Sequence, residues 1–121
     1  MTAPRPAVFL DRDGTINVDT VHVSRADSVR LIPGVAGAIA RLNAAGVPVI
    51  VISNQSGIGR GLFTMELYHE VRQRIAEMLA VDGAHVDGVY ICPHSPDVSP
   101  ACDCRKPRTV LPQQAAAEHG L

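Results

Sequence analysis

The sequence predicts an α/β domain, a doubly wound parallel sheet made by strands and helices in alternation. Three observations carry this. Three short apolar runs, at Val8 to Leu10, Val47 to Ile52 and Gly88 to Ile91, read as buried strands. Segments of helical periodicity lie between them, and strands joined through helices form parallel sheets with right-handed crossovers. Each run also opens directly into a polar cluster, at the carboxyl edge where open α/β sheets keep their chemistry.

The first run delivers Asp11-Arg12-Asp13-Gly14-Thr15. At an extended strand end the side chains of Asp11 and Asp13 point to one side, so both address one ligand. Two carboxylates about 4 Å apart repel by roughly 4 kcal/mol at an effective dielectric near 20, so the pair calls for a cation. A divalent oxygen-seeking ion, Mg2+, fits that need. A plain Asp-Gly turn is the structural alternative. An EF-hand is excluded, because Gly14 falls at loop position four and His22 at twelve, where that loop needs Gly at six and Glu at twelve.

A polar loop follows from Asn17 to Arg30, with Asp19, Thr20 and His22 near the catalytic edge as candidate substrate contacts. Pro33-Gly34 opens a helix whose core residues are Val35, Ile39 and Leu42, and Gly46 ends it. The second run terminates in Ser53-Asn54-Gln55-Ser56-Gly57-Ile58-Gly59-Arg60-Gly61. A hydroxyl, two amides and three glycines after a strand make an oxyanion-binding turn, since glycine lets backbone N–H groups approach closely. It is not a P-loop, as no Gly-Lys-Ser/Thr ending is present. Thr64 is the expected N-cap of a helix with Leu67, Val71, Ile75, Met78 and Leu79 in the core.

The third run leads into Cys92-Pro93-His94 and, seven residues later, Cys102-Asp103-Cys104. Three thiolates and one imidazole make a complete tetrahedral zinc set with no open position, hence a structural Zn2+ that stiffens the loop. Such a loop would hold Lys106, in Arg105-Lys106-Pro107, as a fixed point charge for the acid pair. Leu111 to His119 reads as a last short helix capped by Gly120.

At 121 residues the chain is expected to be one domain, 1–121. Its 46% apolar and 19% charged residues are those of an ordinary globular chain. A net charge of -1 and only four aromatic residues (two Tyr, two Phe) argue against nucleic acid as a partner. No run reaches membrane-spanning length, and Met1 to Pro6 lacks the apolar core of a signal peptide, so neither a membrane nor export is expected and the cytoplasm is. An odd number of cysteines in that reducing compartment points to metal rather than disulfide.

Asp11-Arg12-Asp13-Gly14-Thr15, Ser53-Asn54-Gln55-Ser56-Gly57 and Arg105-Lys106-Pro107 resemble the first three motifs of the haloacid dehalogenase superfamily of phosphatases. With Cys92, His94, Cys102 and Cys104 in place, the chain is most similar to members acting on heptose bisphosphates, and next to those acting on histidinol phosphate. The glycine-rich turn and the Asn17-Val18-Asp19 loop resemble the former, and the seven-residue zinc spacer the latter.

The resemblance implies a capless Rossmann-like fold, a small sugar-phosphate substrate and a phosphoaspartyl mechanism, and a monomer is expected. In it Asp11 is the nucleophile, Asp13 the general acid and base, and Ser53 and Lys106 hold the phosphoryl group. Mg2+ binds at Asp11 and Asp13. Substrate contacts fall on Asp19, Thr20, Val21, His22, Asn54, Gln55, Ser56 and Arg105. The superfamily's fourth acidic motif lies beyond a further strand that pairs with the first, and the sequence reaches Leu121 where that strand should begin. The expectation is therefore a truncated chain, with its first strand an unpaired edge and weak or absent activity. Two further readings are a phosphosugar-binding remnant without turnover and a phosphatase of nucleic-acid ends, the latter opposed by the charge balance.

Overall fold

A computed structural model describes residues 5–19, 25–94, 104–106 and 108–121. The element order is β1 (Val8–Leu10), α1 (Val35–Ala44), β2 (Val49–Asn54), α2 (Ser56–Gly59), α3 (Met65–Val81), β3 (Gly88–Cys92) and α4 (Val110–His119), with a 3-10 turn at Ala26–Ser28. The three strands are parallel in the order β1-β2-β3.

The central strand carries the fold. Its residues Val49 to Ser53 are all buried, as a strand covered on both faces must be. Side chains alternate across it. Val49 and Val51 face a core shared with Ile39 of α1 and with Val71, Ile75 and Leu79 of α3. Ile50 and Ile52 face a second core with Cys92 of β3 and with Leu111 and Ala115 of α4. Helices thus cover both faces, as the doubly wound reading expects. The order of the described strands runs in one direction only, and the change of face is made by α4.

Two expected boundaries move. β2 begins at Val49 rather than Val47, because Pro48 has no N–H to give a ladder, although its carbonyl accepts from Val8 N–H as the first rung of the β1–β2 pairing. β2 ends at Asn54 rather than Ile52, because β3 runs on to Cys92 and pairs Ser53 with Ile91 and Asn54 with Cys92. The glycine-rich turn after β2 also folds its first residues into the short helix α2. Thr64 does cap α3, its Oγ1 accepting from Leu67 N–H at 3.1 Å. Leu67 and Met78 are only half-buried, and Tyr68 takes the inward place that the expected stripe gave to Leu67.

Two asparagines tie distant main chain together. Asn43 accepts from His85 N–H at 2.9 Å and donates to the His85 carbonyl at 3.0 Å. Asn54 treats Lys106 in the same way, accepting from its N–H at 3.0 Å and donating to its carbonyl at 3.4 Å. Each amide imitates one rung of a strand ladder. Among the described residues no helix is long and apolar enough to cross a membrane.

Candidate active site

β1 closes at Leu10, so Asp11 lies just beyond its carboxyl end and the chain bends at Arg12. Gly14, at φ 86°, permits a left-handed reversal that brings the N–H groups of Thr15, Ile16 and Asn17 back to the Arg12 carbonyl. The expected strand-like alternation of Asp11 and Asp13 is therefore broken, and the two carboxylates have different partners. Asp11, half exposed, accepts at Oδ1 from Arg12 N–H (2.9 Å) and from Lys106 Nζ (3.0 Å). Asp13 accepts at Oδ1 from Arg12 Nε (2.9 Å) and Asn17 Nδ2 (3.0 Å), and at Oδ2 from Arg12 Nη2 and Gln55 Nε2 (both 3.2 Å).

Lys106 comes from a loop 95 residues after Asp11, and its position is fixed twice. Asn54 holds its main chain, and its ammonium donates to the Ile52 carbonyl at 2.9 Å. Ser53, buried, accepts from Gln55 Nε2 at 2.7 Å. The structure therefore gathers Asp11, Asp13, Ser53 and Lys106 at one sheet edge.

The candidate substrate contacts divide. Asp19 is exposed beside the site, Ser56 is half-buried at the start of α2, and Arg105 is half-buried with its Nη1 unpartnered among the described residues. Asn54 spends its amide on Lys106, and Gln55 spends its own on Arg12, Asp13 and Ser53. Thr20, Val21 and His22 lie outside the described residues.

Sequence reasoning passed over Arg12 and Asn17. Both are buried, at 4% and 0% exposure, and both hold Asp13. The signal for Arg12 was a cation placed directly between two acids at a strand end. A buried guanidinium needs a carboxylate, and of the two adjacent ones it takes Asp13. The guanidinium also lies 5.6 Å from the centre of the Tyr68 ring.

The donor set suits the two expected metals. Asp11 presents hard anionic oxygen, half exposed, with both of the named hydrogen bonds on one of its two oxygens. On the loop side, donor atoms of Cys92, His94 and Cys104 lie within 4.8 Å of one another. His94 Nδ1 is 3.7 Å from Cys92 Sγ and 3.4 Å from Cys104 Sγ. Two ligands of a tetrahedral zinc, bonded at about 2.3 Å (S) and 2.0–2.1 Å (N), stand about 3.6 Å apart, so both His94–cysteine separations are what such a site needs. Cys102, the fourth expected ligand, lies outside the described residues.

No protein-family model matches the chain. It is 43% identical to D-glycero-beta-D-manno-heptose-1,7-bisphosphate 7-phosphatase of Yersinia pestis, over 98% of this chain and 65% of that protein. Among solved structures it matches D,D-heptose 1,7-bisphosphate phosphatase from B. bronchiseptica complexed with magnesium and phosphate. That likeness has a TM-score of 0.89 and 36% identity, and covers 96% of this chain and 64% of the other. A second match is a putative HAD-like phosphatase from Mesorhizobium loti, with a TM-score of 0.88 and 40% identity over 97% of this chain and 58% of that one. The chain thus spans less than two thirds of the length of each of these proteins, and over that span it has their fold.

Proposed function

We propose that this chain is a haloacid dehalogenase-type phosphomonoesterase, working in the cytoplasm as a monomer, that removes the 7-phosphate of D-glycero-D-manno-heptose 1,7-bisphosphate. One observation carries the reading. Lys106, delivered by a distant loop, meets Asp11 at 3.0 Å beside the linked set of Asp13, Gln55 and Ser53. An acid, a second acid, a hydroxyl and an ammonium at one edge are what transfer of a phosphoryl group through a carboxylate requires. The likeness to the heptose bisphosphate phosphatases supports the substrate.

Asp11 attacks phosphorus, forming an acyl phosphate as the bond to the sugar oxygen breaks. Asp13 gives that oxygen a proton, then takes one from the water that hydrolyses the acyl phosphate and regenerates Asp11. Ser53 donates its hydroxyl to a phosphoryl oxygen, and Lys106 offsets the negative charge on attacking and transferring groups. The Asp11 carboxylate and the Asp13 carbonyl would hold Mg2+, which when bound neutralises phosphoryl charge. Arg105, whose fork suits a phosphate, takes the second phosphate of the substrate, with Asp19, Thr20, Val21 and His22 on the sugar. Cys92, His94, Cys102 and Cys104 would hold Zn2+, which when bound would stiffen the loop that carries Arg105 and Lys106.

The test is phosphate release by the zinc-loaded chain with Mg2+, from heptose 1,7-bisphosphate and histidinol phosphate side by side. Weak release, selective for the heptose and abolished in Asp11→Asn, is expected. Preference for histidinol phosphate, or activity that survives Asp11→Asn, would overturn the reading.

A further inference from the structure

Gln55 is buried at 4% exposure, and its amide is ordered by what surrounds it. Its Oε1 accepts from Arg12 Nη2 at 3.3 Å. Its Nε2 donates to Ser53 Oγ at 2.7 Å and to Asp13 Oδ2 at 3.2 Å. The opposite amide orientation would set N–H against the guanidinium and turn a carbonyl toward the Asp13 carboxylate, so it is excluded on charge. Arg12 cannot swing away to relieve this, because it is buried and bidentate on Asp13.

The consequence falls on Ser53. A hydroxyl has one proton, and here a lone pair of its oxygen is already engaged by the Gln55 N–H. Its proton is then directed away from Gln55. We infer that Gln55 is a positioning residue, locked by Arg12, that aims the Ser53 proton at the phosphoryl group and so pre-orients the donor before substrate arrives. This rests on the function proposed above. Preorganised donors stabilise the transition state because nothing has to turn during the reaction.

A double-mutant cycle tests it, with phosphate release by the Mg2+- and zinc-loaded chain measured for wild type, Gln55→Met, Ser53→Ala and the pair. Ser53→Ala is expected to lower kcat about 100-fold and Gln55→Met about 10-fold, with KM within about 2-fold, as for a lost or misdirected oxyanion donor. In the Ser53→Ala background Gln55→Met should lose most of that effect and keep only the part that comes from its bond to Asp13, since coupled residues are not additive. If Gln55→Met does not fold, Gln55→Glu replaces it. That change keeps the acceptor for Arg12 but sets acceptors against both Ser53 and Asp13, so the part of its loss that Ser53→Ala removes is what reports on Ser53. Full additivity in the cycle overturns the inference while leaving the phosphatase reading intact. A wild-type chain with no turnover overturns the phosphatase reading, and this inference with it.

Discussion

Lys106 Nζ stands 3.0 Å from Asp11 Oδ1 and 2.9 Å from the carbonyl oxygen of Ile52. Two acceptors thus fix one ammonium above the nucleophile. Lys106→Met should lower kcat on the order of 100-fold, the usual loss on deleting a transition-state electrostatic partner. Lys106→Arg should recover little, because a planar fork cannot occupy the point reached by a compact ammonium with both acceptors. Steady-state phosphate release decides this, and full activity in Lys106→Arg would show that only charge matters.

The zinc reading expects one zinc per purified chain by elemental analysis. Chelation should lower the melting temperature by roughly 5 °C or more, since metal binding at a closed site is coupled to folding. Cys104→Ser should reduce metal content and activity together, because Lys106 follows two residues later. Full activity in metal-stripped protein would separate the loop from the site.

A side chain at Gly57 has no room. A Cβ there would overlap the edge of the Phe63 ring at Cε1, and that ring is itself buried. Gly57→Ala should cost about 1–3 kcal/mol, the range for overpacking, read as a lowered midpoint in urea. An unchanged midpoint would mean that the Phe63 ring moves aside freely.

The two tyrosines make stability depend on alkaline pH. Burial raises the Tyr68 pKa above its ordinary value, against the opposing charges of Arg72 and Arg12. Burial, aided by the hydrogen bond donated to Glu118, pushes Tyr90 up to about 12. Unfolded tyrosine titrates near 10, so between about pH 10 and 12 the unfolded chain has released protons that the folded chain retains. Stability is unaffected below that window and falls as pH rises through it. Tyrosinate absorbance, free of tryptophan overlap in this chain, should begin to rise at higher pH in buffer than in urea. Coincident curves would refute this.

The elements were legible where periodicity was strong. Ile39, Val71, Ile75 and Leu79 announced their helices' inner faces, and Thr64 announced a cap. Tyr68, three, seven and eleven residues before Val71, Ile75 and Leu79, lies on their face of the helix and was passed over in favour of Leu67, four residues before Val71, which is only half-buried. The candidate site was legible as residue types at strand ends, since Asp11, Ser53 and Lys106 each directly follow or end a recognisable segment. The connections among them were not. That Arg12 turns back onto Asp13 follows from the bend after Leu10, and that Asn54 grips Lys106 follows from β3 extending to Cys92.

The grip of Asn54 has a practical corollary. It touches only the N–H and carbonyl of Lys106, groups shared by every residue except proline at the nitrogen. The loop is therefore registered without reference to the side chain it presents, and position 106 behaves as a socket. An alanine there should leave the loop in register and vacate a space next to Asp11 shaped for a primary amine. Methylamine supplied in solution could then stand in for the missing ammonium, making this chain a candidate for chemical complementation.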